Sequence, residues 1–385
     1  MRRRCELFRS GPSTVGSLTR HAADAGCVST EQAIVGGWWN KAAQLMMRVM
    51  EHVETRCQIR EQGGDPRRNL ASQPVAGKSS TTVGSGVKVV FAVLAVSACL
   101  CGMGRAVAAE DLVEHGRYIF YAAGCVSCHT SEQALAGGRA IATPFGTFYS
   151  PNITPHREQG IGSWSQEDFV RALRDGISPG GGHYYPAFPY PSYTRMTGQD
   201  MRALWAYLMS QPAVARKNRP HDLPWFLSSR SLVGGWKTRW FRPGVFAVDP
   251  TRSPEWNRGA YLATALGHCG ECHTPRGVLG APRPSQYLAG TRKGPEGHEV
   301  PNITPDRETG VGHWPLRGMS TFLATGRTPD ERYTGPLMAE VLGTSTMRLT
   351  EYDRHSLAIF LRSLPPIYHD LNSRFDPFAD SAYFE

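Results

Sequence analysis

The sequence predicts an all-α protein in which one helical unit is used twice. Three observations carry this: a long segment recurs, each copy ends in an amphipathic helical pattern, and no stretch alternates convincingly with a period of two. The recurring segment runs from Asn152-Ile153-Thr154-Pro155 to Trp164 and again from Asn302-Ile303-Thr304-Pro305 to Trp314, with nine of thirteen positions identical. Upstream, Gly116-Arg117-Tyr118-Ile119 matches Gly259-Ala260-Tyr261-Leu262, nine residues before Cys125 and ten before Cys269. The copies are offset by 144 residues at that cysteine and by 150 at the Asn, so the second holds six extra residues between them.

Taken in order, residues 1–108 read as a presequence. They hold 14 Lys/Arg against 7 Asp/Glu, whereas 109–385 hold 28 against 26, so most of the formal charge of +9 lies ahead of Ala109. A general nucleic-acid binder needs a concentrated basic face, and the remainder has no such excess. Five of the nine cysteines also precede Ala109. An export signal is expected over 87–108: Lys88 as the positive flank, an apolar run Val89–Met103 and a small-residue site at Ala106-Val107-Ala108. Val96-Ser97-Ala98-Cys99 offers a rival, lipoprotein-type processing site. Residues 1–80 show no interpretable motif, and translation is expected to start near Val83 or Val87.

The first unit is expected over 109–212. It has a helix around Gly116, a Cys/His motif, a long loop, a helix Gln166–Asp175, and a closing helix whose Asp200, Leu204, Tyr207 and Leu208 follow the helical period, with Pro212 as its stop. Residues 213–255 form a linker rich in aromatics and Arg. Trp236 and Trp240, four apart, share a helical face and are expected to pack the two units together, with a docking surface as the sharper alternative. The second unit spans 256–366, with a middle helix near 318–326 and a closing helix carrying Asp353, Leu357, Phe360 and Leu361 before Pro365-Pro366. Residues 367–385 are a polar, aromatic tail.

The chemistry lies in Cys125-Val126-Ser127-Cys128-His129 and Cys269-Gly270-Glu271-Cys272-His273. In C-x-x-C-H two thiols on one helical turn form thioethers to the vinyl groups of a c-type haem, and the histidine binds its iron. Cys125, Cys128, Cys269 and Cys272 are therefore expected to attach two covalently bound haem c groups, with His129 and His273 as iron ligands. A zinc site would want a further Cys/His pair nearby, and a redox dithiol has no need of the histidine. The expected fold is two tandem class I cytochrome c domains, which take a methionine from the loop before the closing helix as sixth ligand. Met196 is the first-unit candidate, with His183 as a rival. In the second unit Met338, read as lying in mid-loop, is preferred to Met347. Trp164 and Trp314 are expected either to donate to a haem propionate or to pack in the core.

Further runs carry a resemblance. Thr143-Pro144-Phe145-Gly146-Thr147, Asn152-Ile153-Thr154-Pro155, Tyr185-Pro186-Ala187-Phe188-Pro189-Tyr190, Trp256-Asn257-Arg258-Gly259-Ala260-Tyr261-Leu262 and Gly267-His268-Cys269-Gly270 together resemble the cytochrome c subunits of membrane-bound bacterial alcohol, gluconate and related dehydrogenases. The similarity covers roughly 110–365. It implies a periplasmic protein that passes electrons from a partner dehydrogenase toward quinone, an oxidase or another cytochrome; peripheral attachment to the outer face of the cytoplasmic membrane is compatible with it. Family members with Met at the position of Met196, and a Gly-Pro-Met-Ala-Glu-like run, support Met196 and Met338. The alcohol and gluconate subunits usually carry three haem motifs and a C-terminal membrane helix, whereas this chain has two motifs and no apolar span in 367–385.

No nucleotide-binding glycine turn or separate substrate domain is evident, so the redox chemistry rests with the haems. The expectation is an electron-transfer subunit without catalysis of its own. The alternative is a catalytic two-haem enzyme of thiosulfate dehydrogenase or peroxidase type, and residues 109–385 offer no spare cysteine for the former. A lipid-anchored electron carrier follows if Cys99 is the processing site.

Overall fold

The structure, a computed structural model, describes residues 110–373, all within the compact unit Val83–Glu385. The export signal, the lipoprotein-type site at Cys99 and residues 374–385 lie outside the described residues. The described chain is mostly helical. α1 runs through 110–122 and α2 is Cys125–His129; then come β1 (Ala140–Thr143) and β2 (Gly146–Tyr149), followed by α3 (Gln166–Asp175), α4 (Tyr190–Tyr193) and α5 (Gly198–Met209). After these come α6 (Arg230–Trp240), α7 (Pro254–Tyr261), α8 (Gly270–His273), α9 (Leu316–Thr325), α10 (Pro336–Thr344) and α11 (Glu351–Arg362).

The hairpin β1–β2 corrects the all-α expectation. Its strands pair antiparallel from Ala140↔Tyr149 to Thr143↔Gly146, and Gly146 supplies φ 120° at the turn. Each strand is four residues long, and β1 only alternates exposed with half-buried positions, so no apolar face announces it. α6 stands inside the segment read as a linker, and Trp236 and Trp240 do share a face, with ring centroids 5.8 Å apart.

The closing helices α5 and α11 are built alike. Thr197 and Thr350 are N-caps whose side chains accept from the backbone N–H of Asp200 and Asp353, both at 3.1 Å. Their apolar stripes are buried, with Leu204 and Leu208 each 2% exposed, a burial that stabilises by about 1.5–3 kcal/mol per side chain. Each closing helix crosses an opening helix at a glycine. A Cβ on Gly116 would collide with the carbonyl oxygen of Ala203, and one on Gly259 with that of Ser356. The one-residue difference in spacing to the cysteine also has a physical site. In the second half α7 continues into a π-helical turn, Leu262–Leu266, which takes up one residue more than α-helical geometry.

One continuous cluster of buried side chains runs through both halves, including Ile119, Leu204, Leu262 and Leu357. Two reciprocal polar clamps cross between the halves. Tyr118 donates to Asp353 (2.5 Å) and accepts from the backbone N–H of Thr350 (3.1 Å). Tyr261 donates to Asp200 and accepts from the backbone N–H of Thr197 (3.1 Å). Arg258 grips Asp353 with two bonds of 2.8 and 2.6 Å, and His115, at the matching position, meets Asp200 at 2.7 Å. Each half thus supplies the tyrosine that satisfies the buried aspartate at the other's helix start. Tyr118→Phe and Tyr261→Phe should each lower the unfolding free energy by about 1–3 kcal/mol, because each leaves a buried carboxylate and a helix N–H short of a partner; urea unfolding measures this.

The linker is bound to both halves. Lys237 donates to the carbonyls of Asp175 and Gly176 at the end of α3, while the indole of Trp236 donates to Leu279 O in the second half at 3.0 Å. Trp225 remains 86% exposed and Phe226 53%. His221 accepts from the Tyr149 N–H through Nδ1 at 3.1 Å, which requires the neutral ring. Burial first, then Arg230, holds its pKa below the ordinary imidazole value. An unfolded histidine takes up its proton near pH 6.5, so the stability this site contributes is complete above about pH 6.5 and falls as the pH drops below it, levelling off once the folded ring protonates. His221→Phe should remove that part of the pH dependence, seen in unfolding curves compared between about pH 5 and 7.5.

Candidate functional site

The two cysteine–histidine motifs fold as short helices, α2 and α8. In both, the histidine is fixed by the segment that precedes Asn-Ile-Thr-Pro. His129 Nδ1 lies 2.7 Å from Pro151 O, and His273 Nδ1 lies 2.8 Å from Pro301 O. A carbonyl can only accept, so Nδ1 carries the proton in each ring and Nε2 keeps its lone pair. Burial holds both histidines below the usual imidazole pKa, which keeps them neutral and able to ligate.

The repeated tetrapeptide explains how those carbonyls are held. Asn152 Oδ1 accepts from the backbone N–H and hydroxyl of Thr154 at 2.9 and 2.7 Å, while its Nδ2 donates to Val214 O at 2.8 Å. Asn302 repeats this with Thr304 at 2.9 and 2.8 Å and with Ile367 O at 2.7 Å. Both asparagines are nearly fully buried. Each ties the strap that follows a closing helix to the turn that aims a proline carbonyl at a histidine. The sequence repeat pointed to this segment; its link to the histidine is visible only in three dimensions.

Burial pushes the thiols up, Cys125 and Cys272 to about 12 and Cys269 to about 11, with Cys128 raised as well. Among the described residues no group of three or more His, Cys, Asp and Glu converges as a metal site would require.

Both motifs open onto one continuous cavity of about 2650 Å³, well above the ~300–1,000 Å³ of a single small-molecule pocket. Trp164 and Trp314 are on its wall, as are Met196 and Met338. Met196 is fully buried on the turn between α4 and α5, which Arg174 clamps by donating to Thr194 O and Met196 O at 2.9 and 3.1 Å. Met338, expected in mid-loop, sits instead in the first turn of α10 and is half-buried. Pro336 at the first helical position presets the backbone angle, and Leu337, Met338 and Ala339 are all good helix formers. Among the rivals, His183 packs against Lys237, with Nδ1 3.3 Å from Nζ, and Met347 is 39% exposed on the turn Thr346–Arg348.

The residues present fit a covalently held haem. Each motif offers two protonated thiols and a neutral histidine at an apolar cavity that also holds a methionine. Gln286, 2% exposed on the cavity wall, has an Nε2 with no partner, a buried donor that the carboxylate edge of such a group would satisfy. Sequence reasoning missed Gln286 and Arg174, which belong to no local pattern, and the carbonyls of Pro151 and Pro301, although both prolines stand directly ahead of the Asn-Ile-Thr-Pro repeat. Asn152→Ala and Asn302→Ala should each cost about 1–3 kcal/mol in stability. Each should also loosen the imidazole on its own side, His129 or His273, which loses its orienting carbonyl; the ring signals in nuclear magnetic resonance spectra measure this.

Comparison with known proteins bears on the same residues. Residues 113–212 match the family model for cytochrome c. Over 260 residues the chain is 42% identical to a diheme cytochrome c-type protein of Cereibacter sphaeroides, covering 66% of this chain and 86% of that protein. It is 42% identical over 258 residues to the fructose dehydrogenase cytochrome subunit of Gluconobacter japonicus, covering 66% and 52% respectively. Against the cytochrome c subunit of the quinone-dependent alcohol dehydrogenase of Gluconobacter oxydans the identity is 38% over 268 residues, covering 67% and 56%. The chain therefore spans only about half the length of the two dehydrogenase subunits.

Proposed function

This chain belongs to the cytochrome c family, and we propose that it is a periplasmic two-haem cytochrome. In this reading it relays electrons from a partner dehydrogenase to quinone, an oxidase or another cytochrome of the respiratory chain. The observation that carries the reading is the duplication of one complete arrangement on one cavity: two C-x-x-C-H helices, each with its histidine oriented by a proline carbonyl. Bound haem supplies a one-electron iron couple. The protein's part would be to attach it through Cys125, Cys128, Cys269 and Cys272, to orient His129 and His273 as ligands, and to offer Met196 and Met338 from the cavity wall as further ligands. Two tandem domains, 109–212 and 256–366, joined by 213–255, are the arrangement this implies.

The dehydrogenase partner is supported by the names of the relatives, cytochrome subunits of fructose, alcohol and gluconate dehydrogenases. Among the described residues no helix is long and apolar enough to cross a membrane, so in this reading attachment to the membrane comes through the partner or from outside residues 110–373.

Expression in a host that matures c-type cytochromes tests the proposal. Mass spectrometry should find two haems per chain, and near-infrared magnetic circular dichroism should show two methionine-to-iron bands. Met196→Leu should remove one band and lower the potential of one haem, since a methionine ligand raises it. A resting high-spin haem in the unmodified protein would point to catalysis instead.

A further inference from the structure

His268 stands immediately before Cys269, where the first half has Gly124 before Cys125. Both residues adopt a left-handed backbone, with φ 64° at Gly124 and 38° at His268. Glycine takes that conformation without cost; a histidine there is strained and persists only where its surroundings hold it. The ring contacts of His268 run to the first half. It packs edge-on against Tyr193 with ring centroids 5.6 Å apart, and Tyr193 donates to Ala123 O at 2.7 Å. His268 Nε2 lies 3.7 Å from the point where a Cβ on Gly124 would stand, so the imidazole of one half comes to ordinary contact distance of the turn that precedes Cys125 in the other.

This junction is where the two motifs approach each other. Ser192 donates to Glu271 Oε1 at 3.1 Å across the same boundary, and the Glu271 N–H donates to His268 O at 2.9 Å. The imidazole is thus wedged between the turn that opens α2 and the turn that opens α8.

We propose that His268 is a positioning residue that fixes the spacing between the two haem-attachment turns and thereby sets the rate at which one electron redistributes between the two sites. The inference rests on the two-haem reading above. It involves no bond making and no proton: one iron is oxidised as the other is reduced.

The test uses the full holoprotein, with two haems per chain first verified by mass. Wild type, His268→Gly and His268→Asn are each given one electron by pulse radiolysis, and the redistribution is followed optically. His268→Gly should keep both haems and unchanged axial spectra while the rate falls by about tenfold, equivalent to ~1.4 kcal/mol in the barrier. The dipolar coupling between the irons should change with it. His268→Asn tolerates the same backbone and still places a side chain at the junction, and should recover most of the rate. A wild-type rate and coupling in His268→Gly overturn the inference. So does a slowed rate accompanied by haem loss or an altered axial spectrum, because His268 would then serve attachment alone. A wild-type protein with a single haem defeats the two-haem reading itself, before any variant is compared.

Discussion

An imidazole presents one nitrogen to a metal reliably only when the other is held as a donor in a fixed direction. In this protein that requirement falls on two proline carbonyls, Pro151 O and Pro301 O, and much of the architecture serves to hold them. A carbonyl in a loop has no ladder to fix it. Here Asn152 and Asn302 close a turn on a threonine and bond outward to the strap that follows a closing helix. The strap is in place because the helix before it lies against an opening helix, and that approach is possible because Gly116 and Gly259 present no side chain at the crossing. A buried asparagine, a glycine and a capped helix thus act, through contiguous contacts, on the direction of one imidazole.

The halves are alike in this arrangement and differ in what joins them. The clamps Tyr118–Asp353 and Tyr261–Asp200 exchange partners, so each helix start, capped by its own threonine, also takes a tyrosine from the other half. Departures from the repeat fall where the halves meet each other or the linker. The π turn Leu262–Leu266 adds a residue just before α8, and the loop that bears Leu279 receives the indole of Trp236 from α6. Arg139 of the first half pairs with Glu340 on α10 of the second, and Ser127 meets Thr344 at 2.6 Å. The repeated parts build each site and exchange the tyrosine clamps, and the unrepeated ones add further contacts between the halves.

Much of this could be read without coordinates, for reasons that are local. C-x-x-C-H places its ligands within one turn, the closing helices show their period in Leu204 and Leu208 and again in Leu357 and Leu361, and the Asn-Ile-Thr-Pro repeat marks itself by recurring. The hairpin Ala140–Tyr149 escaped because strands of four residues with one half-buried face leave almost no periodic signal. Met338 was placed in a loop because Gly335-Pro336 reads as a break, whereas Pro at a first helical position starts a helix as readily as it ends one. Arg174, Gln286 and His268 escaped because their roles depend on partners at long range or on the other half.

By itself, then, the sequence determined the chemistry and its duplication: which thiols and histidines stand together, and that the unit carrying them is used twice. Both are written in spacings of a few residues, which the covalent chain alone enforces. The tertiary structure decided how each histidine is aimed, which tyrosine satisfies which aspartate, and what lies between the two motifs. Those outcomes depend on atoms brought together from positions about 20 to 240 residues apart, and only the folding of each half and the packing of one against the other make them neighbours.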